Sequence, residues 1–202
     1  MSEVTATRSA VIALKEEHRA MQEGSVFLDE KCLLLAGAML RELRRFDAAR
    51  AALRGLLSRA AGRLAAAVAR HGLQELQCHP VPASGAPGVK LQRRSLMGLV
   101  LVDATAAIER TEVAERAHAT PEAESCRDAF SALAAQLAEM AAMSGNLERL
   151  YREYRKSVRR VRALQDVLLP ELDRNLYEIE TQLDELEQDE AISIRKGARL
   201  EL

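Results

Sequence analysis

The side chains best able to ligate a metal or act as nucleophiles are four histidines and three cysteines. Only at one place are two of them adjacent, Cys78 and His79, with His71 upstream and His118 well downstream. Neighbours along a chain rarely reach the same ion, and no second spaced pair completes a zinc-type set. Four scattered histidines support no Ser-His-Asp or Cys-His arrangement. The phosphate-cradling pattern GxxxxGK[ST] is absent, so ATP binding through a P-loop is not expected. The expectation is a chain with no catalytic residue, no cofactor and no metal. An odd number of scattered cysteines (Cys32, Cys78, Cys126) argues against a disulfide framework and fits a reducing cytoplasm.

Charge offers a different chemistry. The formal net charge is −1, which gives no global attraction for nucleic acid or an anionic membrane. Locally the balance is uneven. Arg41 to Arg63 holds seven arginines against Glu42 and Asp47, and Arg149 to Arg162 holds seven basic residues against Glu153. Glu171 to Glu190 carries nine acids and only Arg174. If the chain folds back near residue 96, residue 45 lies roughly opposite 147. The basic runs then overlap as a collar of Arg41, Arg44, Arg45, Arg152, Arg155, Arg159 and Arg160. Nucleic-acid binding by these arginines is disfavoured by the acidic block that follows.

The elements that would position these charges can be read from proline and periodicity. Aromatics make up 3% of the chain, Trp is absent, and Ala, Leu, Arg and Glu dominate, the composition of long helices or coiled coils. All five prolines lie at 80, 82, 87, 121 and 170, so two long helices are permitted around a broken middle. The first is expected from about Ser9 to Arg70. Leu14, Met21, Leu28 and Leu35 recur every seven residues, as do Cys32, Met39, Phe46, Leu53, Ala60 and Ala67, forming a heptad stripe. Glu42 and Arg63 fall on the first row, and Leu43, Leu57 and Leu64 are expected to take over one position later as the phase drifts.

The last helix starts at Thr120-Pro121-Glu122, a capping residue, a proline suited to the first helical position and an acid for the positive dipole end. Leu147, Tyr154, Val161 and Leu168 form one row. Tyr151, Val158, Leu172, Ile179 and Leu186 belong to the other. The tyrosines are read as seam fillers. Pro170 interrupts the stripe without ending it, which predicts a kink. Gly24, Gly37, Gly55, Gly62 and Gly145 either permit close helix approach or are merely tolerated. Between the helices, Cys78 to Gly88 reads as a loop. Val89 to Arg93 and Gly98 to Val102 read as a small β-hairpin turning near Arg94 to Met97, and 103–119 as a mixture of short helix and loop. No run approaches the roughly 18 apolar residues a membrane span needs, and Met1 to Lys15 lacks the pattern of a signal peptide.

The predicted fold class is therefore all-α: a long antiparallel two-helix coiled coil with a small β-hairpin in its middle segment. Residues 1–72 form the first helix, 73–119 the middle with a hairpin at about 89–102, and 120–202 the second helix, kinked near Pro170. By itself this pattern fits an autonomous coiled-coil adaptor as well as a shaft.

Arg159-Arg-Val-Arg-Ala-Leu-Gln-Asp-Val-Leu-Leu-Pro-Glu-Leu172 resembles the RRVNALE-x-VxIPxL signature of the D subunit of V-type (vacuolar and archaeal-type) ATPases. Ile179 to Glu190 is similar to that family's xxLDExEREE segment, and Ser95 to Val102 to its NIMGVxVP element. Near the start, Thr7-Arg8, Leu14-Lys15, Gly24 and Leu28-Asp-Glu-Lys31 fall where the family has PTxxxLxxLK, Gly and LLKDKRD, with Ala6 and Cys32-Leu33 departing from it. The resemblance implies a non-catalytic central rotor axle, coupling ATP hydrolysis or synthesis to ion translocation. Its implied partners are the A and B subunits of the catalytic ring, the F subunit, and the membrane-side C or d subunit. No nucleic acid and no direct membrane insertion are implied, and the location would be cytoplasmic, peripheral to the membrane. The arginine collar would either face the ring's inner wall or simply flank the seam as ordinary solvated helix charges, and Leu96, Met97 and Gly98 would meet the lower partners.

Overall fold

A computed structural model describes residues 7–77, 88–107 and 120–200. Helix-favouring composition without proline lets a hydrogen-bond ladder run far, and helix α1 occupies Arg8–Gln77. Thr7 caps it: its Oγ1 accepts the Ala10 amide at 3.2 Å, three residues on. The ladder breaks at Gly72, whose φ of 74° and ψ of 159° are open only to glycine. Strands β1 (Gly88–Leu96) and β2 (Leu99–Ala107) follow as one antiparallel pair. Helix α2 is Pro121–Ala163, a π turn covers Leu164–Leu168, and helix α3 is Leu169–Leu200. The fold class is all-α, an antiparallel helical coiled coil with a small two-stranded hairpin in its middle segment.

By contact the chain divides into two compact units, Met1–Leu34 with Tyr154–Leu202, and Leu35–Glu153. In the first, Arg8 pairs with Glu187 at 2.7 Å, Lys15 with Glu180 at 2.7 Å, and His18 lies 3.0 Å from Asp173. Gln165 donates to Ser25 Oγ at 3.1 Å and to Asp29 at 3.0 Å. Numbers rise on α1 as they fall on the facing helix, the mark of antiparallel pairing. The surface ion pairs add little each and set register more than stability. In the second unit the sense is the same: Asn146 meets Glu42, Glu122 meets Arg70 at 3.3 Å, and Thr120 shares a 2.7 Å hydrogen bond with His71. The Thr120 hydroxyl thus ties the start of α2 to α1.

Leu35, Ala49, Ala60, Ala67, Leu133, Leu150, Val161, Leu172 and Ile179 are buried. Leu28, Met39, Phe46, Leu53, Leu147, Tyr154 and Val158 are half-buried. Four expectations need correction. Leu43, Leu57 and Leu64 stay exposed, because the first row keeps its phase straight through a buried Glu42. Leu168 is exposed because the π turn adds one residue, about 100° of helix rotation; half-buried Leu169 takes the inward position. Leu186 is exposed because Glu187 already meets Arg8, the first residue of α1. Tyr151 is exposed, whereas Tyr154 is not. Nor do the five helical glycines serve close helix approach. A Cβ at Gly24, Gly55 or Gly62 would meet nothing within 4 Å, and at Gly37 or Gly145 only an arginine one turn on.

Pro170 is the second residue of α3, just beyond the π turn. It has no N–H, so the Asp166 carbonyl four residues earlier lacks an α-helical donor, and an α turn there would press the ring on that carbonyl. The wider turn, closed by the Leu169 amide on the Leu164 carbonyl, relieves this. Deleting Val167 should force an ordinary α turn and cost roughly 3 kcal/mol, the penalty of proline inside an unbroken helix. Adding Pro170→Ala should recover most of that loss in urea unfolding. Equal losses in both chains would break the link between turn and proline.

Candidate functional site: a charged clamp under the hairpin

The hairpin turns on Met97 and Gly98, with φ of 49° and 80°. Positive φ at both central residues is the type I′ pattern, whose twist suits a two-residue connection. Leu96 pairs with Leu99, and the register runs without a bulge to Gly88 opposite Ala107. The strands therefore exceed the expected 89–102, and 103–107 is strand where helix or loop was expected.

Alternation places Arg94, Leu101 and Asp103 on one face of this ribbon. Leu101 is fully buried, so that face packs inward. Beneath it lies Glu42, its side chain only 3% exposed. Arg45 and Arg94 each reach its Oε2 at 3.2 Å. Both arginines also reach Asp103, at 3.4 and 3.1 Å. Two acids and two bases thus alternate around a closed ring drawn from α1, β1 and β2. A buried carboxylate is costly unless paired and hydrogen-bonded, and here every neighbour contributes.

Asn146, fully buried on α2, completes the clamp. Its carboxamide accepts the Val102 amide and donates to the Val102 carbonyl, both at 2.8 Å. The second Nδ2 proton goes to Glu42 Oε1 at 3.2 Å, and Oδ1 also accepts from Arg149 at 3.1 Å. All four hydrogen-bonding positions of the amide are filled. One side chain behaves as a third strand one residue long, gripping β2 by its backbone.

The sequence reading missed this clamp. The available signal was a polar residue on a seam row, which in coiled coils marks a specified partner rather than an error; Glu42 was read instead as phase drift. Of the expected collar, Arg41, Arg44, Arg45 and Arg152 lie in the second unit, and Arg155, Arg159 and Arg160 in the first; all seven are exposed. Arg45 belongs to the clamp and Arg152 pairs with Glu148 within its own helix. Leu96 and Met97 are half-buried and Gly98 exposed, at the hairpin tip. Cys78, His79 and His118 lie outside the described residues. Among those described, no group of three His, Cys, Asp or Glu could hold a metal ion, and no helix is long and apolar enough to cross a membrane. Half-buried Cys32 is a poor nucleophile: burial, and then Asp29, push its thiol pKa up.

The family model for the ATP synthase D subunit matches residues 10–198, from the start of α1 to the end of α3 and including the whole clamp. This chain belongs to the ATP synthase D-subunit family. A comparison with curated proteins found no match. Membership places it in a rotary ATPase, where the D subunit is by family a stalk component. The clamp's Glu42, Arg45, Arg94 and Asn146 all lie inside the matched span.

Proposed function

We propose that this chain is the rotor axle of a V-type ATPase or ATP synthase, coupling ATP turnover in a ring of A and B subunits to ion movement through a membrane rotor. The family match over nearly all of two antiparallel helices carries this reading. A shaft needs a stiff, self-satisfied core and an outer surface whose contacts are weak enough to be remade at each catalytic interface. The heptad seam supplies the first. Arg41, Arg44, Arg159 and Arg160, exposed and outside any ion pair among the described residues, supply the second as solvated cations facing acidic groups. In this reading the hairpin, with Leu96, Met97 and Gly98 at its tip, meets the F subunit or the membrane-side C or d subunit. The complex is peripheral to the membrane on its cytoplasmic side. Catalysis resides in the ring and none on the shaft.

Reconstitution with A, B and F subunits tests the axle: ATP turnover of the ring should depend on this chain and fall when residues 73–119 are removed. Reversing Arg41, Arg44, Arg159 and Arg160 to glutamate should weaken ring binding by about tenfold or more, since rim charges act mainly on association and salt dependence. Unchanged affinity and turnover would remove the arginines from the interface. Failure to join the ring at all would favour a free coiled-coil adaptor.

A further inference from the structure

The two edges of the hairpin are treated differently. The Val102 amide and carbonyl both bond Asn146, so neither pairs with Arg93 opposite. Arg93 and Val102 are therefore a non-hydrogen-bonded pair, and antiparallel alternation extends that status to Val89, Leu91 and Ser95 on β1. Their amides and carbonyls point away from β2, and among the described residues no hydrogen bond meets them. Eight of the nine β1 residues are exposed, Leu91 by 59%. The fold caps one edge with a buried asparagine and leaves the other as a straight, unbulged, open template, the geometry used for strand addition.

We propose that the outer edge of β1 accepts an extended strand from a partner protein of the complex, one bearing Asp or Glu. The acidic character follows from Lys90 and Arg93, both exposed on β1. The same cations oppose a second copy of β1, whose like charges would lie across the new ladder. Val89, Leu91 and Val100, exposed on the outward face, offer apolar cover for alternate side chains of the incoming strand. The proposal rests on the reading that the hairpin meets a partner in the rotary complex.

Residue-resolved hydrogen exchange of the full chain, alone and in the reassembled rotary complex, tests it. Assembly should slow the Leu91, Arg93 and Ser95 amides about tenfold or more, while Gln92 and Arg94, already in the ladder, are protected in both states. Leu91→Pro removes an outward N–H without breaking the ladder, and should weaken hairpin-dependent assembly about tenfold, the order expected for one lost hydrogen bond and a steric block. Leu91→Ala should weaken it less. Retained Gln92 and Arg94 protection in the Leu91→Pro chain shows that the hairpin still forms; its loss moves the decision to exchange in the parent. Co-purification with the complex but unslowed outward amides overturns strand addition alone. Concentration-dependent protection of these amides in the chain by itself makes the occupant a second copy and overturns the proposal. A chain that never joins the complex overturns the axle reading with it.

Discussion

Asn146→Asp should destabilise the isolated chain by about 3 to 5 kcal/mol at pH 7, the scale for an uncompensated charge in a buried site. The change is nearly isosteric, so packing is not at issue. Two donors vanish: one facing the Val102 carbonyl at 2.8 Å, the other facing Glu42 at 3.2 Å. In their place a carboxylate stands against an acid and a carbonyl, with only Arg149 and the Val102 amide in favour. Burial and a like charge both raise the pKa of such a group above its unfolded value. A raised pKa contributes stability at low pH that is lost as pH rises through it, so the deficit should be smaller near pH 4 than at pH 7. Urea unfolding at both pH values measures this. A loss under about 1 kcal/mol, or one independent of pH, means that the amide does not grip Val102 and Glu42 in this way.

The second large effect concerns the seam. Leu150, with no exposed surface, should cost about 2 to 5 kcal/mol when cut to alanine, through lost burial and the cavity left behind. Leu43→Ala, at a site 45% exposed, should stay within about 0.5 kcal/mol. The contrast separates two phases of the same heptad pattern. If Leu43 proved costly in the isolated chain, α1 would sit rotated by one residue about its axis, with Leu43 rather than Glu42 on the seam.

That choice of phase marks where sequence reasoning stopped. The two helices, their antiparallel sense and the hairpin were legible because proline placement and heptad spacing are local signals repeated over many turns. The opposition of residues 45 and 147 was legible too, from counting outward from the turn, and Glu42 does meet Asn146. What was illegible depended on a third element. Glu42 stays on the seam because Arg94 arrives from β1, a contact 52 residues away that no helical period reports. Asn146 reads as an ordinary polar residue beside Leu147 until a strand is laid against it. The π turn was visible only as its cause, Pro170, since a proline announces a disturbance but not whether the helix bends or widens. The family motifs at Arg159–Leu172 carried the functional reading, and the clamp lay outside them.

The break at Gly72 has a mechanical meaning. Torsional stiffness in a helix resides in its continuous ladder of hydrogen bonds, and at Gly72 that ladder is interrupted by a backbone turn no L-residue would hold. Under the axle role proposed above, twist carried along α1 meets a break in the ladder at this residue. What holds the hairpin to the helices from the side is the Glu42 ring and the Asn146 amide. Under the proposed axle role, Gly72 is a swivel and the clamp the key that ties the hairpin to the helices.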